Sequence, residues 1–193
     1  VVKPEKPFNR LDPKYQIVEG VHDPDHIFED EYKLIAELKE KRPELADWTD
    51  KQLVFFLCSR RHDMEQVLAL IDKYLAKRKA LGFDVNKPTP DDFKSLMENK
   101  TFFRVHGMED KYGRMVYYYL IGNDVTNKRD INVLYAWAFW ESEYLPQTET
   151  LATLRNGCII IIDMNSFGWK NLDTSSQGRD WNSAVSGTFP KRV

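Results

Sequence analysis

Only two cysteines, Cys58 and Cys158, occur in the 193 residues, and both sit inside apolar segments. That excludes a disulfide framework and any zinc-binding spacing, and the setting expected from it is reducing and cytosolic. There is no surplus of charge of either sign: 28 Lys and Arg stand against 30 Asp and Glu, a formal net charge of −2. Broad electrostatic attachment to nucleic acid has nothing to rest on, so any anion site must be local. No apolar run approaches the roughly 18 residues of a membrane span, and residues 1–22 contain no signal-peptide core. With 42% hydrophobic and 13% aromatic residues the composition is that of a folded globular chain, not a disordered one.

Chemical signatures are equally scarce. No nucleophile elbow, dinucleotide-binding glycine motif or phosphate-binding loop is present. His22-Asp23-Pro24-Asp25-His26 has a metal-like spacing, but a capped helix start explains it better, and no metal site is expected. His62 and His106 read as ordinary isolated histidines. Asp163 ends an apolar strand where α/β enzymes place catalytic groups, although capping of the following turn is the simpler role. No enzyme activity and no cofactor are expected.

What is there divides in two. Residues 1–22 read as a proline-containing extended arm, 23–99 as a helical subdomain and 100–193 as the opening of an α/β domain. Asp23-Pro24 predicts a helix start ahead of the stripe Ile27, Phe28, Leu34, Ile35 and Leu38. Thr49-Asp50-Lys51-Gln52 is a capping box, Asp63 caps the next helix, Gly82 stops it, and Thr89-Pro90 opens a fourth. The period then changes from 3.6 to 2. Residues 101–106 and 114–121 predict a hairpin around Asp110 to Gly113. A long aromatic helix follows, capped by Asp130 or Asn132 and interrupted at Pro146. Cys158 to Ile162 predicts a strand buried on both faces of a parallel sheet, completing a βαβ unit, and residues 175–187 a last helix. A central strand needs neighbours on both sides. Together with the start at Val1 and the stop at Val193, this leads us to expect a piece of a longer protein.

Two features stand above this background. Tyr117, Tyr118, Tyr119, Tyr135, Trp137, Phe139, Trp140 and Tyr144 crowd one strand and one helix, with Phe167, Trp169 and Trp181 soon after, and such rings can wall an apolar cavity. Arg60-Arg61 and Lys191-Arg192 are local cation pairs.

The order of motifs resembles the CRAL-TRIO lipid-binding family from about Asp25 to Val193. The motifs are Leu53-x-x-Phe56-Leu57-x-x-Arg60-x-x-Asp63, then Asp110-x-x-Gly113-Arg114-x-Val116, then Gly157 to Asp163, then Phe189-Pro190-x-Arg192. The resemblance implies an α/β fold, a helical N-terminal bundle followed by a truncated α/β sandwich, that shields one hydrophobic molecule of retinoid, tocopherol or phospholipid type. It implies ligand-facing positions at Tyr117, Tyr119, Ile121, Tyr135, Ala138, Phe139, Ser142, Cys158, Ile160, Ile162, Trp181, Ala184 and Val185. It also implies a phosphoinositide-binding patch of Arg60, Arg61, Lys191 and Arg192, making reversible contact with an anionic membrane surface from the cytoplasmic side. Lys191, where the phosphoinositide-transferring branch has an acidic residue, draws the comparison toward the tocopherol and retinaldehyde branch. The expected function is lipid transfer between membranes. The alternative is a membrane-sensing regulatory module of a larger signalling protein.

Overall fold

The computed structural model describes residues 12–111, 113–124, 130–172 and 176–190; the side chains of residues 105, 106, 176, 177, 182 and 184–186 lie outside that description. Three helices build the N-terminal part: α1 (Glu29–Lys41), α2 (Asp50–Ser59) and α3 (Met64–Ala80). A short α4 (Lys94–Glu98) leads into β1 (Phe102–Glu109) and β2 (Met115–Leu120). Then come α5 (Ile131–Thr148), α6 (Leu151–Asn156), β3 (Cys158–Asp163) and α7 (Ser176–Gly187).

Local chemistry sets most boundaries. The Gln52 N–H donates to Thr49 Oγ1 (3.2 Å) and the Thr49 N–H to Gln52 Oε1 (2.9 Å), satisfying two otherwise orphaned donors at the start of α2. Asp63 accepts from the Gln66 N–H at 3.1 Å to open α3. Gly82 ends it at φ +73°, a left-handed conformation that costs a residue without a β-carbon nothing. Six successive residues of α2, Leu53 to Cys58, are buried, because α1, α3, α5 and α6 all pack on it. It is the hub helix.

The first helix does not start at Asp23-Pro24. Asp23 closes a turn onto the Asp25 N–H (2.8 Å), the Pro24 carbonyl accepts from Ala152 N–H (2.8 Å), and Asp25 accepts from Leu151 N–H (2.7 Å). Asp25 is thus a cap, but for α6. Helix α1 begins at Glu29, where the Glu31 carboxylate reaches back to the Phe28 N–H at 3.0 Å.

The sheet has the order β1-β2-β3, with β1 antiparallel and β3 parallel to β2. The helices α5 and α6 lie between the two parallel strands in the chain. Helix α5 continues two residues past Pro146 and ends at Thr148. At Gly122 a β-carbon would sit 2.2 Å from the Asn165 carbonyl oxygen, so the turn after β2 can lie against the turn after β3 only with glycine there. Strand β3 differs from the expectation of burial on both faces. Its only neighbour among the described residues is β2, so it is an edge, and Ile160, Ile161 and Ile162 are 37%, 41% and 52% exposed.

The main core is aromatic. Phe56 of α2 meets Tyr74 of α3 (ring centroids 5.2 Å), Tyr74 meets Phe139 of α5 (4.8 Å), and Phe139 meets Phe189 (5.0 Å). These edge-on and tilted contacts are the preferred geometries of rings whose faces are negative and edges positive.

Candidate functional site

Side chains directly opposite one another in neighbouring strands share a sheet face. The register therefore places Arg104, Tyr117 and Ile160 on one face, with Phe102, Tyr119 and Ile162 beside them and Met115 next to Cys158. Helix α5 covers the part of this face formed by β1 and β2. Phe102 packs edge-on against Trp137 (4.9 Å), Tyr117 donates to Glu141 Oε1 (2.8 Å), and Arg104 pairs with Glu149 (2.6 Å). Burial, and then the Glu141 carboxylate, push the Tyr117 phenol well above its usual range, so it stays a donor. Burial works against the charge of Arg104, but Glu149 outweighs it and the guanidinium stays cationic. Tyr119 donates to Asp124. Over β3 the cover ends: Cys158 is half-buried, while Ile160 and Ile162 face solvent. The result is an open apolar strip with a polar inner edge.

The other ligand-facing positions fall elsewhere. Successive helical residues turn by about 100°, so Trp137 and Glu141 point away from Tyr135 and Phe139. Tyr135 packs against Trp181 of α7 (5.5 Å) with the Lys77 ammonium over its ring (4.2 Å), and Phe139 contacts Tyr74, Phe83 and Phe189. Ala138 is fully buried, and Ser142 spends its hydroxyl on the Ala138 carbonyl (2.7 Å). The aromatic excess is thus divided between two sides of α5. Ile121 is half-buried in the turn after β2, where its carbonyl accepts from Asn171 Nδ2 (2.8 Å). Trp169 belongs to neither group and is 90% exposed, because it is Asn171 that this short turn buries. The side chains of Ala184 and Val185 lie outside the described residues.

Sequence comparison decides what carries this face. Residues 98–193 match the family model of the CRAL/TRIO domain. The C-terminal half of the chain is a CRAL/TRIO domain. No curated protein matches the chain. All three strands of the sheet and the helices α5 to α7 lie inside the matched segment, and α1 to α3 precede it.

The helices are joined to the CRAL/TRIO domain by a buried ionic cluster that no local sequence pattern announces. Arg155 of α6, 1% exposed, forms a fork onto Glu31 of α1, fully buried, with both N···O distances 2.6 Å. Arg155 also donates to the His26 carbonyl (3.1 Å) and lies over the Phe28 ring (5.1 Å). His62 Nε2 is 2.7 Å from Glu31 Oε1, and its ring stacks on Tyr15 at 3.7 Å. Far from an isolated surface histidine, His62 has a side chain only 5% exposed, and the residue is held at φ +62° after Arg61 at +53° by its N–H to the Leu57 carbonyl (2.9 Å). Ligand atoms of Glu31, Cys58 and His62 lie within 4.8 Å of one another. The Arg155 guanidinium, 3.7 Å from Cys58 Sγ, already stands where a cation would be attracted. Asp163 accepts from the Asn165 N–H at 2.8 Å, capping the turn after β3.

Burial alone would raise the Glu31 pKa, but the hydrogen bonds from Arg155 and His62 and the Arg155 charge outweigh it and bring it to about 2. Since this value is depressed below the usual 4.5, the stabilisation is fully present above about pH 4.5 and lost as pH falls toward 2. Unfolding free energies at about pH 6 and pH 3 should differ by roughly 2 kcal/mol more in the wild type than in Glu31→Gln. Equal slopes would show that Glu31 is not the group responsible.

Arg60 is half-buried and donates to the Ser59 carbonyl (3.1 Å), and Arg61 is exposed. Lys191 and Arg192, the other half of the expected basic patch, lie outside the described residues.

Proposed function

We propose that the protein is a non-enzymatic carrier that takes up a small hydrophobic lipid at a membrane, shields it and releases it at another. The CRAL/TRIO domain is a lipid-binding and lipid-transfer family, which supports the coarse assignment. The observation that carries the specific reading is the open face of β3, where Ile160 and Ile162 lie beside the Tyr117–Glu141 pair. Each methylene moved from water onto such a surface contributes about 0.8 kcal/mol, so an apolar strip holds a lipid body while a few polar groups orient it. Membrane contact in this reading is reversible and peripheral, made from the cytoplasm through Arg60, Arg61, Lys191 and Arg192. Each cation near an anionic surface contributes about 1 kcal/mol, and four give roughly 4 kcal/mol, enough for docking without anchoring.

Two measurements test this. Transfer of a fluorescent lipid analogue from donor to acceptor vesicles should accelerate with added protein, and a rate unchanged at any protein concentration would refute the carrier reading. Co-sedimentation with phosphoinositide-containing vesicles should weaken in Arg60→Ala plus Arg192→Ala and at raised salt, because the Debye length shrinks from about 10 Å at 0.1 M to about 3 Å at 1 M. Equal, salt-insensitive binding by both proteins would remove the basic patch from the account.

A further inference from the structure

We propose that residues 12–28 form a regulatory strap, latched by Tyr15 on His62, whose docking sets the turn carrying Arg60 and Arg61 and is thereby coupled to binding of an anionic membrane surface. The inference rests on the membrane contact of the proposed function and deepens it by naming what regulates that contact. The turn between α2 and α3 is strained. The Arg61 N–H donates to the Cys58 carbonyl (3.2 Å) and the His62 N–H to the Leu57 carbonyl (2.9 Å), a helix closure that glycine usually makes. Here two adjacent residues with β-carbons adopt it, at φ +53° and +62°. Such conformations persist only where their surroundings over-determine them, and they cluster in switch regions.

The strap supplies that constraint. The Tyr15 ring lies face to face on the His62 ring, centroids 3.7 Å apart and planes within 15°, and Tyr15 is 5% exposed although residues 12–14 before it are open to solvent. Lys14 ties the same end of the strap to Asp30 of α1 (3.1 Å). Further along, the strap crosses from the N-terminal helices to the CRAL/TRIO domain: Asp25 pairs with Lys51 of α2 (2.8 Å) and accepts from the Leu151 N–H of α6 (2.7 Å), and the His26 carbonyl accepts from Arg155 (3.1 Å). Without the Tyr15 ring on His62, the turn can return to the right-handed region that residues with β-carbons prefer. Each residue added to α2 in that way swings its side chain about 100° round the helix axis, which redirects the arginine that meets the membrane. Strap docking and surface binding share this one element, so by linkage each strengthens the other by the same factor.

The test uses the full chain and vesicles of phosphatidylcholine containing a phosphoinositide. Tyr15→Ala should bind them about fivefold or more weakly than the wild type, and Tyr15→Phe, which keeps the ring, should bind like the wild type. In the wild type, saturating vesicles should slow hydrogen exchange by about the same factor at the amides of Tyr15, Gln16, Val21 and His22, all hydrogen-bonded within the strap. Equal vesicle affinity of the wild type and of a Tyr15→Ala shown to be folded by circular dichroism overturns the coupling and leaves Tyr15 a packing residue. So does strap exchange that vesicles leave unchanged, and this measurement decides alone if Tyr15→Ala does not fold. A wild type that binds no vesicles overturns the membrane reading itself, and the coupling with it, so the two failures are distinguishable.

Discussion

Arg155→Ala should lower folding stability by about 3–5 kcal/mol, a drop in melting temperature of roughly 6–20 °C for a chain of this size. The reason is asymmetry. Glu31 has no exposed surface and would remain behind as a buried carboxylate stripped of its two 2.6 Å hydrogen bonds, while His26 would lose the donor to its carbonyl. An unpaired buried charge costs far more than the pair contributes over an apolar replacement. Glu31→Leu combined with Arg155→Met should accordingly recover most of the loss. Arg155→Lys should fall between, because a single ammonium cannot reproduce the fork. The same contact joins α1 to α6, so native-state hydrogen exchange in Arg155→Ala should rise in both helices together. A loss below about 1 kcal/mol would mean that the cluster is solvated and the α1–α6 connection rests on apolar packing alone.

Phe139→Ala should cost a further, independent 3–5 kcal/mol. Its ring is fully buried among Tyr74, Phe83 and Phe189, three rings from three different parts of the chain, and these are fixed by their own neighbours and cannot collapse into the space. Ile161→Ala is the control. That side chain is also apolar and also in a regular element, but it is 41% exposed, so its loss should cost under about 1 kcal/mol. Denaturant unfolding of the three proteins checks the ranking. A Phe139→Ala loss as small as that of Ile161→Ala would mean that the ring stands in a void and not in a packed junction.

Features decided by adjacent residues were legible in the sequence. The Thr49 capping box, the Asp63 cap, the Gly82 stop, the hairpin around Asp110 to Gly113 and the limits of β3 all depend on groups within a few positions of one another. So was the family, whose model covers residues 98–193. Features decided at a distance were not. Asp23-Pro24-Asp25 has the form of a helix start, yet Asp25 accepts from the Leu151 N–H, 126 positions away. Glu31, His62 and Arg155 look unremarkable singly, and only packing α1, the α2–α3 turn and α6 together makes them one cluster. The run Cys158 to Ile162 was apolar enough for a central strand, but burial belongs to the neighbourhood, and among the described residues β3 has β2 on one side only. The aromatic excess suggested a single cavity wall. Helical geometry instead sends Trp137 toward the sheet and Tyr135 and Phe139 toward Trp181, Tyr74 and Phe189.

The most direct test of the carrier account is native mass spectrometry of the intact protein, purified without detergent and then offered a lipid extract. The account predicts one small lipophilic adduct per chain, released on denaturation and replaced stoichiometrically by an added competitor, with no chemical change in the lipid recovered. A chain that stays free of adduct in the presence of every lipid class offered, or that returns a chemically altered lipid, would contradict it.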